Sequence, residues 1–394
     1  MTDRIKASRS IPPSLAYMRA LAFLAVRDKG VIVVLVLAQL LFLLPMVASY
    51  PTGEEAICHE RAVESAGIAR DELIRYGSEF PEELLELTRQ EYAHFSDAAA
   101  AIYPSSEYFA ALSSAREVQD REWQAGYLTG GLSYRASATL LTKLSELDSP
   151  QTYATAKDLP ALNYLALGIG VMPAITLLLP GLLAAYAVFR RLHGHGLLAV
   201  APLRKHARHT GAILVASVLS AVGPIAVALP SALVALVRNG LGDARYPVVS
   251  IMGGNVVSDT VLGTLGRDAA LIVLEAIALA LFVGLVSRAS PRLAIGLGLL
   301  ALLLPLAPLY AAESAPWHEV GSLLPTTYLS LSQVVGYPTY ANGLDISVFP
   351  EATFRRGVTV LLATAATFVA VSFIATRIGS GTRKRRLGRE DTDA

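Results

Sequence analysis

Four histidines lie close together in one stretch of the chain and could hold a transition metal through their imidazole nitrogens: His193, His195, His206 and His209. No carboxylate or thiol lies nearby, whereas five arginines or lysines lie in residues 190–209. That much positive charge disfavours a bound cation. The segment is therefore better interpreted as a basic stretch near lipid headgroups, and we predict no metal ligands.

Glu275 is the second residue whose chemistry is unusual, because it interrupts the apolar run LIVLEAIALAL. An ionised carboxylate inside a bilayer is costly unless it is protonated, paired or in contact with water. One interpretation places Glu275 on a path for a substrate or a proton. The other gives it a structural hydrogen bond between helices, as a neutral carboxyl group. Glu275 is the candidate residue of a translocation path.

Motifs for hydrolytic chemistry are incomplete. The phosphate-binding pattern G-x-x-x-x-G-K-[ST] does not occur, so this chain is not expected to hydrolyse nucleotides. The Glu82-Glu83 pair lacks the arginine spacing of an intramembrane protease, and His318-Glu319 lacks the second histidine of a zinc protease helix. We expect a protein that is not an enzyme, with no catalytic residue, bound cofactor or metal.

The elements that must position these residues are apolar. Of 394 residues, 53% are hydrophobic and only 16% are charged, with a mean hydropathy of +0.48. A soluble domain usually has about 25% charged residues. The composition therefore excludes a soluble enzyme and a disordered chain. No basic stretch interleaved with aromatic residues indicates nucleic acid as a partner.

Six stretches approach the roughly 20 apolar residues that a helix needs to cross a bilayer. They are residues 31–49, 162–189, 211–237, 269–286, 293–311 and 358–375. Prolines interrupt the second, third and fifth of these stretches, and broken helices are common in transporters. These prolines are Pro173, Pro180, Pro224, Pro230, Pro305 and Pro308.

The distribution of charge predicts the orientation. Arginine and lysine are concentrated in residues 1–30, in the loop after the second span, between the fourth and fifth spans, and in residues 379–394. Six spans place all four regions on one side, which the positive-inside rule identifies as the cytoplasm. We therefore predict a multi-pass protein of the plasma or inner membrane with both termini in the cytoplasm.

The region between the first two spans is acidic, with 19 Asp or Glu against 9 Lys or Arg in residues 51–160. Apolar residues at helical spacing predict helices over residues 81–101, 110–123 and 133–147. The single cysteine, Cys58, provides no intramolecular disulfide. An acidic surface favours a cationic cargo, and it also keeps an exported domain soluble.

The predicted fold is thus an all-α integral membrane protein with six spans. Residues 1–30 form a cytoplasmic N-terminus with an amphipathic helix, residues 31–49 the first span, and residues 50–161 an extracytoplasmic helical domain. Residues 162–378 hold spans two to six, with a cytoplasmic loop at residues 190–209. Residues 379–394 form a basic cytoplasmic tail.

Three segments resemble parts of the membrane subunit of type-2 ABC exporters, in the branch with a large outer domain between helices one and two. YMRALAFLAVRDKG, at residues 17–30, resembles the interfacial elbow helix of that family. RRLHGHGLLAVAPLRKHARHTGAI, at residues 190–213, resembles its cytoplasmic coupling segment. LLPTTYLS, at residues 323–330, resembles the short helices that precede its last span.

The resemblance implies a permease subunit that forms the translocation path and couples to a separate ATPase subunit, which binds ATP and magnesium. It also implies a second permease, identical or related, and export of a peptide, an antibiotic or a lipid-like substrate. The residues it implies for coupling are Arg190, Arg191, Leu197, Ala201, Pro202, Leu203, Arg204 and Lys205.

One departure from that family concerns the start of the coupling segment, where Arg190 and Arg191 replace a common acidic residue. The alternative functions are a membrane sensor or scaffold, whose outer domain binds a ligand or an envelope partner without transport, and an intramembrane enzyme. A co-purifying ATPase distinguishes the transporter from both.

Overall fold

The computed structural model describes residues 12–193, 202–303, 320–336 and 351–390. These residues are mostly helical. Within these ranges, five helices are long and apolar enough to cross a membrane: Lys29–Val47, Ala174–His193, Lys205–Asn239, Val261–Val286 and Phe354–Ala375. The prediction of a helical membrane protein is therefore confirmed in its main features.

The first two helices are separated by a short break. Helix α1 (Pro13–Val26) is followed by α2 (Lys29–Val47), and the Asp28 carboxylate caps α2 by accepting a hydrogen bond from the Gly30 amide, at 3.1 Å. On α1, Tyr17, Leu21 and Ala25 are buried, and they pack into the core of the helical bundle. The spacing of these three residues gives α1 one buried face.

Four further helices complete the first half of the bundle: α7 (Ala161–Val171), α8 (Ala174–His193), α9 (Lys205–Asn239) and α10 (Val261–Val286). The expected second span is two helices, because Pro173 cannot continue the hydrogen bonding of α7 and forces Met172 into an extended conformation. Farther on, α8 and α9 approach closely at Gly181, where a side chain would clash with Ser220. Ser220 Oγ instead donates to the Gly181 carbonyl oxygen, at 2.9 Å.

The last part of the chain contains α11 (Pro291–Leu303), a 3-10 turn (Pro325–Leu329), the short α12 (Leu331–Val334) and α13 (Phe354–Glu390). The fifth expected span, residues 293–311, lies partly outside the described residues, as do Pro305 and Pro308. Helix α13 continues well beyond the predicted end of the last span. The basic tail therefore begins as an extension of this helix.

Residues between α2 and α7 form a separate helical domain. A 3-10 turn (Glu54–Ile57) leads into α3 (His59–Tyr76), α4 (Glu82–Ala100), α5 (Ser106–Gln124) and α6 (Ser133–Ser145). Each helix packs against the next one along the chain. Helices α4 to α6 match the three expected from the sequence, whereas α3 was not expected because it buries only two alanines.

A strand hairpin that was not predicted lies in the loop between α9 and α10, within a fold that is otherwise consistent with the all-α prediction. Strands β1 (Pro247–Met252) and β2 (Asn255–Thr260) form an antiparallel hairpin in which Met252 is paired with Asn255. Gly253 and Gly254 both have positive φ, which a two-residue hairpin turn of this kind requires. Strand β1 packs on α6, and its buried side chains join the core of the helical domain.

Glu54 links the ends of this domain where it meets the bundle. The side chain is buried, accepting from the Tyr153 amide at 2.6 Å and from the Tyr246 hydroxyl at 2.7 Å. Beside it, the Thr52 amide donates to the Ala154 carbonyl oxygen at 3.1 Å. The two chain segments that join the domain to the bundle are thus held to each other and to the hairpin.

Burial raises the pKa of the Glu54 carboxyl to about 7, against the lowering effect of its two hydrogen bonds. Because the pKa is higher in the folded state than in the unfolded state, the folded protein binds the proton more tightly. The resulting stabilisation is complete below the unfolded pKa of 4.5 and is lost as the pH rises through about 7. The melting temperature of the purified protein should therefore fall from pH 5 to pH 8.

Thermal melts of Glu54→Gln, followed by tryptophan fluorescence, test this assignment. The glutamine side chain cannot ionise, so the fall in melting temperature across this pH range should shrink in the variant. The expected difference between the two proteins is on the order of 3 kcal/mol of unfolding free energy. If the melting temperatures of the two proteins depend on pH in the same way, a group other than Glu54 causes the fall.

Candidate functional site

Most of the residues singled out for coupling lie at one end of the helical bundle, opposite the helical domain. The C-terminal end of α8, the N-terminal ends of α2 and α9, and helix α1 meet there. The C-terminal end of α10 is bound to the same region, because the Arg288 side chain contacts His209 and donates to the Ser372 carbonyl oxygen, at 2.9 Å. We refer to this region as the basic end.

Asp28 is the central acidic group of the basic end. Its Oδ2 accepts from Arg190 at 2.7 Å and from Arg191 at 3.2 Å, while its Oδ1 caps α2. The Asp28 side chain is 18% exposed and that of Arg191 is 23% exposed, so this contact is partly shielded from water. One carboxylate therefore ties the junction of α1 and α2 to the end of α8.

The residues implied for coupling fall into two groups. Arg190 and Arg191 contact Asp28, whereas Arg204 and Lys205, at the start of α9, are exposed. Pro202 is also exposed, and Leu203 packs against the core. Leu197 and Ala201 lie outside the described residues. Arg204 and Lys205 therefore form the exposed positive pair of this segment.

Three of the histidines have separate surroundings. His209 contacts Arg288, His193 Nδ1 lies 2.9 Å from the Phe189 carbonyl oxygen, and His206 is exposed. His195 lies outside the described residues. Within the described ranges, no group of three or more His, Cys, Asp or Glu side chains is arranged to hold a metal ion.

Substitution of Asp28 separates its two roles, because Asn caps a helix about as well as Asp but cannot neutralise two arginines. We expect the melting temperature to decrease from the unchanged protein to Asp28→Asn and further to Asp28→Ala. Loss of the helix cap, in Asp28→Ala only, should cost about 1 kcal/mol of unfolding free energy. Loss of the partly exposed ion pairs with Arg190 and Arg191, in both variants, should cost less than that. Equal melting temperatures for the two variants would remove the capping role.

Glu275 lies in the bundle, near the short elements that precede α13. It is buried and lines a cavity of about 10 Å³ between α8, α10 and the segment from Tyr328 to Leu331. Its Oε1 has no hydrogen-bond partner among the described residues. The other lining residues are Ala174, Leu177, Leu178, Ile272, Tyr328, Leu329 and Leu331.

Asp268 is a second buried carboxylate on the same helix, and the sequence analysis missed it. The fourth span was expected to begin at residue 269, but α10 begins at Val261, where the Thr260 hydroxyl caps it. Asp268 is only 1% exposed, and neither of its carboxylate oxygens has a partner within the described part of the chain. Asp268 and Glu275 are seven residues apart, which is about two helical turns and places both on one face of a helix. That spacing could have identified the pair from the sequence.

Thr264 extends this polar face by one more turn of α10. It is fully buried, and its hydroxyl has no hydrogen-bond partner among the described residues. Buried polar groups are normally hydrogen-bonded, since an unpaired one costs about 1–3 kcal/mol. We define the polar stripe of α10 as Thr264, Asp268 and Glu275. Such a stripe between membrane helices is typical of a path for a polar or charged species.

No protein-family model matches this chain, and neither a curated protein nor a solved structure is significantly similar to it. The basic end and the polar stripe of α10 are therefore the features of this chain that bear on its function.

Proposed function

We propose that this chain is the permease subunit of an ATP-binding cassette transporter in the cell membrane. In this proposal the apolar helices form the translocation path, and a separate subunit binds and hydrolyses ATP. The exported substrate is a peptide, an antibiotic or a lipid-like molecule. The contacts at the basic end and the exposed apolar surfaces of the long helices support this proposal.

The contact of Asp28 with Arg190 and Arg191 is the observation that carries the proposal. A coupling segment must transmit motion from a partner at the membrane surface into the helices. Residues 194–204 connect α8 to α9, and Asp28 ties the α8 end of that connection to α1 and α2. A force applied to the connection would therefore act on three helices together, as rigid-body switching between inward-open and outward-open states requires.

The docking surface in this proposal is the exposed pair of Arg204 and Lys205. Both residues lie at the start of α9, and Arg190 and Arg191 are occupied by Asp28 within the chain. The pair therefore suits an acidic groove on the partner, since complementary charge favours rapid and specific association. In this proposal Arg190 and Arg191, which replace the acidic residue common in type-2 ABC exporters, bind Asp28 within the chain and not the partner.

The orientation in this proposal follows the positive-inside rule. The basic end then lies in the cytoplasm and the acidic helical domain outside, with six spans of which α11 begins the fifth. Large apolar side chains are exposed along α2, α9 and α13. Lipid and a second permease, identical or related, would cover these surfaces.

Affinity purification of the tagged protein from its native membrane in mild detergent, followed by mass spectrometry, tests the proposal. We expect a stoichiometric partner that carries a phosphate-binding loop of the Walker A type. Purification without any ATPase would contradict it and would favour the alternative, a membrane sensor or scaffold that acts through its helical domain.

A further inference from the structure

The helical domain contains a groove whose size suits a small organic ligand. It lies between α3, α4 and α5, and its volume is about 460 Å³. Cavities that bind small molecules are usually about 300–1,000 Å³. We call this cavity the domain groove. Its lining residues are Ser65, Ile68, Ala69, Glu72, Tyr76, Phe80, Leu84, Thr88, Glu91, Gln119, Glu122, Tyr127, Leu128 and Tyr134.

All three charged residues that line the domain groove are acidic. Glu72 comes from α3, Glu91 from α4 and Glu122 from α5, so three different helices bring carboxylates to one cavity. Tyr76, Phe80 and Tyr127 add aromatic rings to the same walls. A cation is attracted to carboxylates and also to the faces of aromatic rings, so both types of side chain favour a positively charged ligand.

Glu122 gives a second and independent indication of a ligand. It is only 3% exposed although it lines the groove, and its Oε1 has no hydrogen-bond partner among the described residues. Glu91, which is also buried, accepts from the Gln119 amide at 2.6 Å and is partly satisfied. Glu122 therefore presents a buried acceptor that a donor in the groove could satisfy.

Other charged groups around the groove leave this negative character in place. Burial is the main cause that raises the pKa of Glu122 to about 7; the charges of Glu91 and Glu72 add to this rise, and Arg121 opposes it. Arg116 lies near Glu91 but donates to Gln119 at 2.7 Å, and Arg121 donates to Gln90 at 3.0 Å. A bound cation would favour ionised Glu122, and binding should therefore weaken as pH falls below about 7.

A single metal ion does not fit these observations. Among the described residues, no three carboxylates, imidazoles or thiols are close enough to share an ion. The groove also has apolar walls at Ile68, Leu84 and Leu128, which a bare ion would not use. An organic molecule with a positive head and an apolar body can contact both the carboxylates and these walls.

We propose that the domain groove binds an amphiphilic organic cation, with an ammonium head placed between Glu91 and Glu122 and an apolar body along the walls of α3 and α4. This inference concerns the helical domain alone. It holds whether or not the chain assembles with an ATPase, so its failure and the failure of the proposed function are distinguishable.

The test uses the full chain in lipid nanodiscs, without an ATPase, and two probes that share one aryl-alkyl body. 4-Phenylbutylamine carries a positive head, and 4-phenylbutyrate carries a negative one. Titration calorimetry at pH 8, with empty nanodiscs as the blank, should show saturable binding of the amine and none of the carboxylate. At pH 5.5 the affinity for the amine should fall several-fold.

Glu122→Gln should weaken amine binding at least tenfold, because Gln has the same size but no charge. Glu72 is exposed, so Glu72→Gln should leave the packing of the domain intact, and its loss of charge should weaken amine binding about threefold. Glu117→Gln, on an exposed position of α5 outside the groove, is the matched control and should leave the affinity unchanged. Equal binding of the two probes, no binding of the amine, or unaltered affinity in both groove variants would overturn the proposal.

Discussion

In the proposed transporter, reversal of the charges at Arg204 and Lys205 is expected to release the ATPase subunit. With both residues changed to Glu, the amount of co-purified ATPase should decrease at least tenfold. Like charges placed against each other across an interface cost several kcal/mol, and about 1.4 kcal/mol is a tenfold change in affinity. Quantitative mass spectrometry of the affinity-purified complex measures this result, and higher salt should weaken the unaltered complex in the same direction.

The charge-reversal variant tests docking and not folding, because the two substitutions should leave the fold intact. Arg204 is the residue before α9 and Lys205 the first residue in it, and acidic side chains at these positions interact favourably with the helix dipole. Lys29→Glu with Arg292→Glu is the matched control. It makes the same change of charge at exposed positions in the first turns of α2 and α11. Equal loss in both double variants would mean that net charge, not the coupling segment, holds the partner.

The sequence predicted the long apolar helices well because their hydrophobicity is a local property. The helices of the helical domain were also predicted where they bury large side chains, as α4 does with Leu87 and Phe95. Helix α3 was missed because its buried face consists of alanines. Its position depends on packing against α4, which single-sequence periodicity does not report.

The hairpin and the polar stripe were missed for different reasons. Strand β1 has an almost continuously buried sequence, PVVSIM, without the alternation that indicates a strand with one exposed face. Asp268 was left outside the fourth span because hydrophobicity alone set the start of that span at residue 269, while the helix cap at Thr260 lies eight residues before Asp268. The domain groove requires three helices that are distant in sequence, so no local pattern could predict it.

Four side chains in different parts of the fold share one physical feature, a carboxylate brought into a partly or fully buried place. Asp28 is satisfied by two arginines and a helix cap, and Glu54 by an amide and a hydroxyl. Glu122 has an oxygen without a hydrogen-bond partner in the described part of the chain, as has Glu275. The first two therefore stabilise the fold, whereas the last two reduce stability and are the better candidates for binding or transport.

Glu275→Leu is accordingly expected to make the protein more stable and less active. Removal of a buried carboxyl group whose Oε1 has no hydrogen-bond partner among the described residues relieves about 1–3 kcal/mol. Leu is close enough in size to fill the space beside Ile272 and Leu329. The melting temperature in nanodiscs should therefore rise by several degrees. In the proposed transporter, with Glu275 on the path or in the switching mechanism, the ATPase turnover of the purified complex should decrease at least tenfold.

Two companion variants separate the carboxyl group from its surroundings. Glu275→Gln keeps the size and polarity but cannot ionise, so it should reduce turnover while changing the melting temperature less than Leu does. Ile272→Leu alters the same cavity without changing its polarity or volume, and it should leave turnover within about twofold of the unchanged protein. A lower melting temperature in Glu275→Leu would show that the carboxyl group has a stabilising partner. Normal turnover in both Glu275 variants would make this residue structural and leave Asp268 as the functional carboxylate of α10.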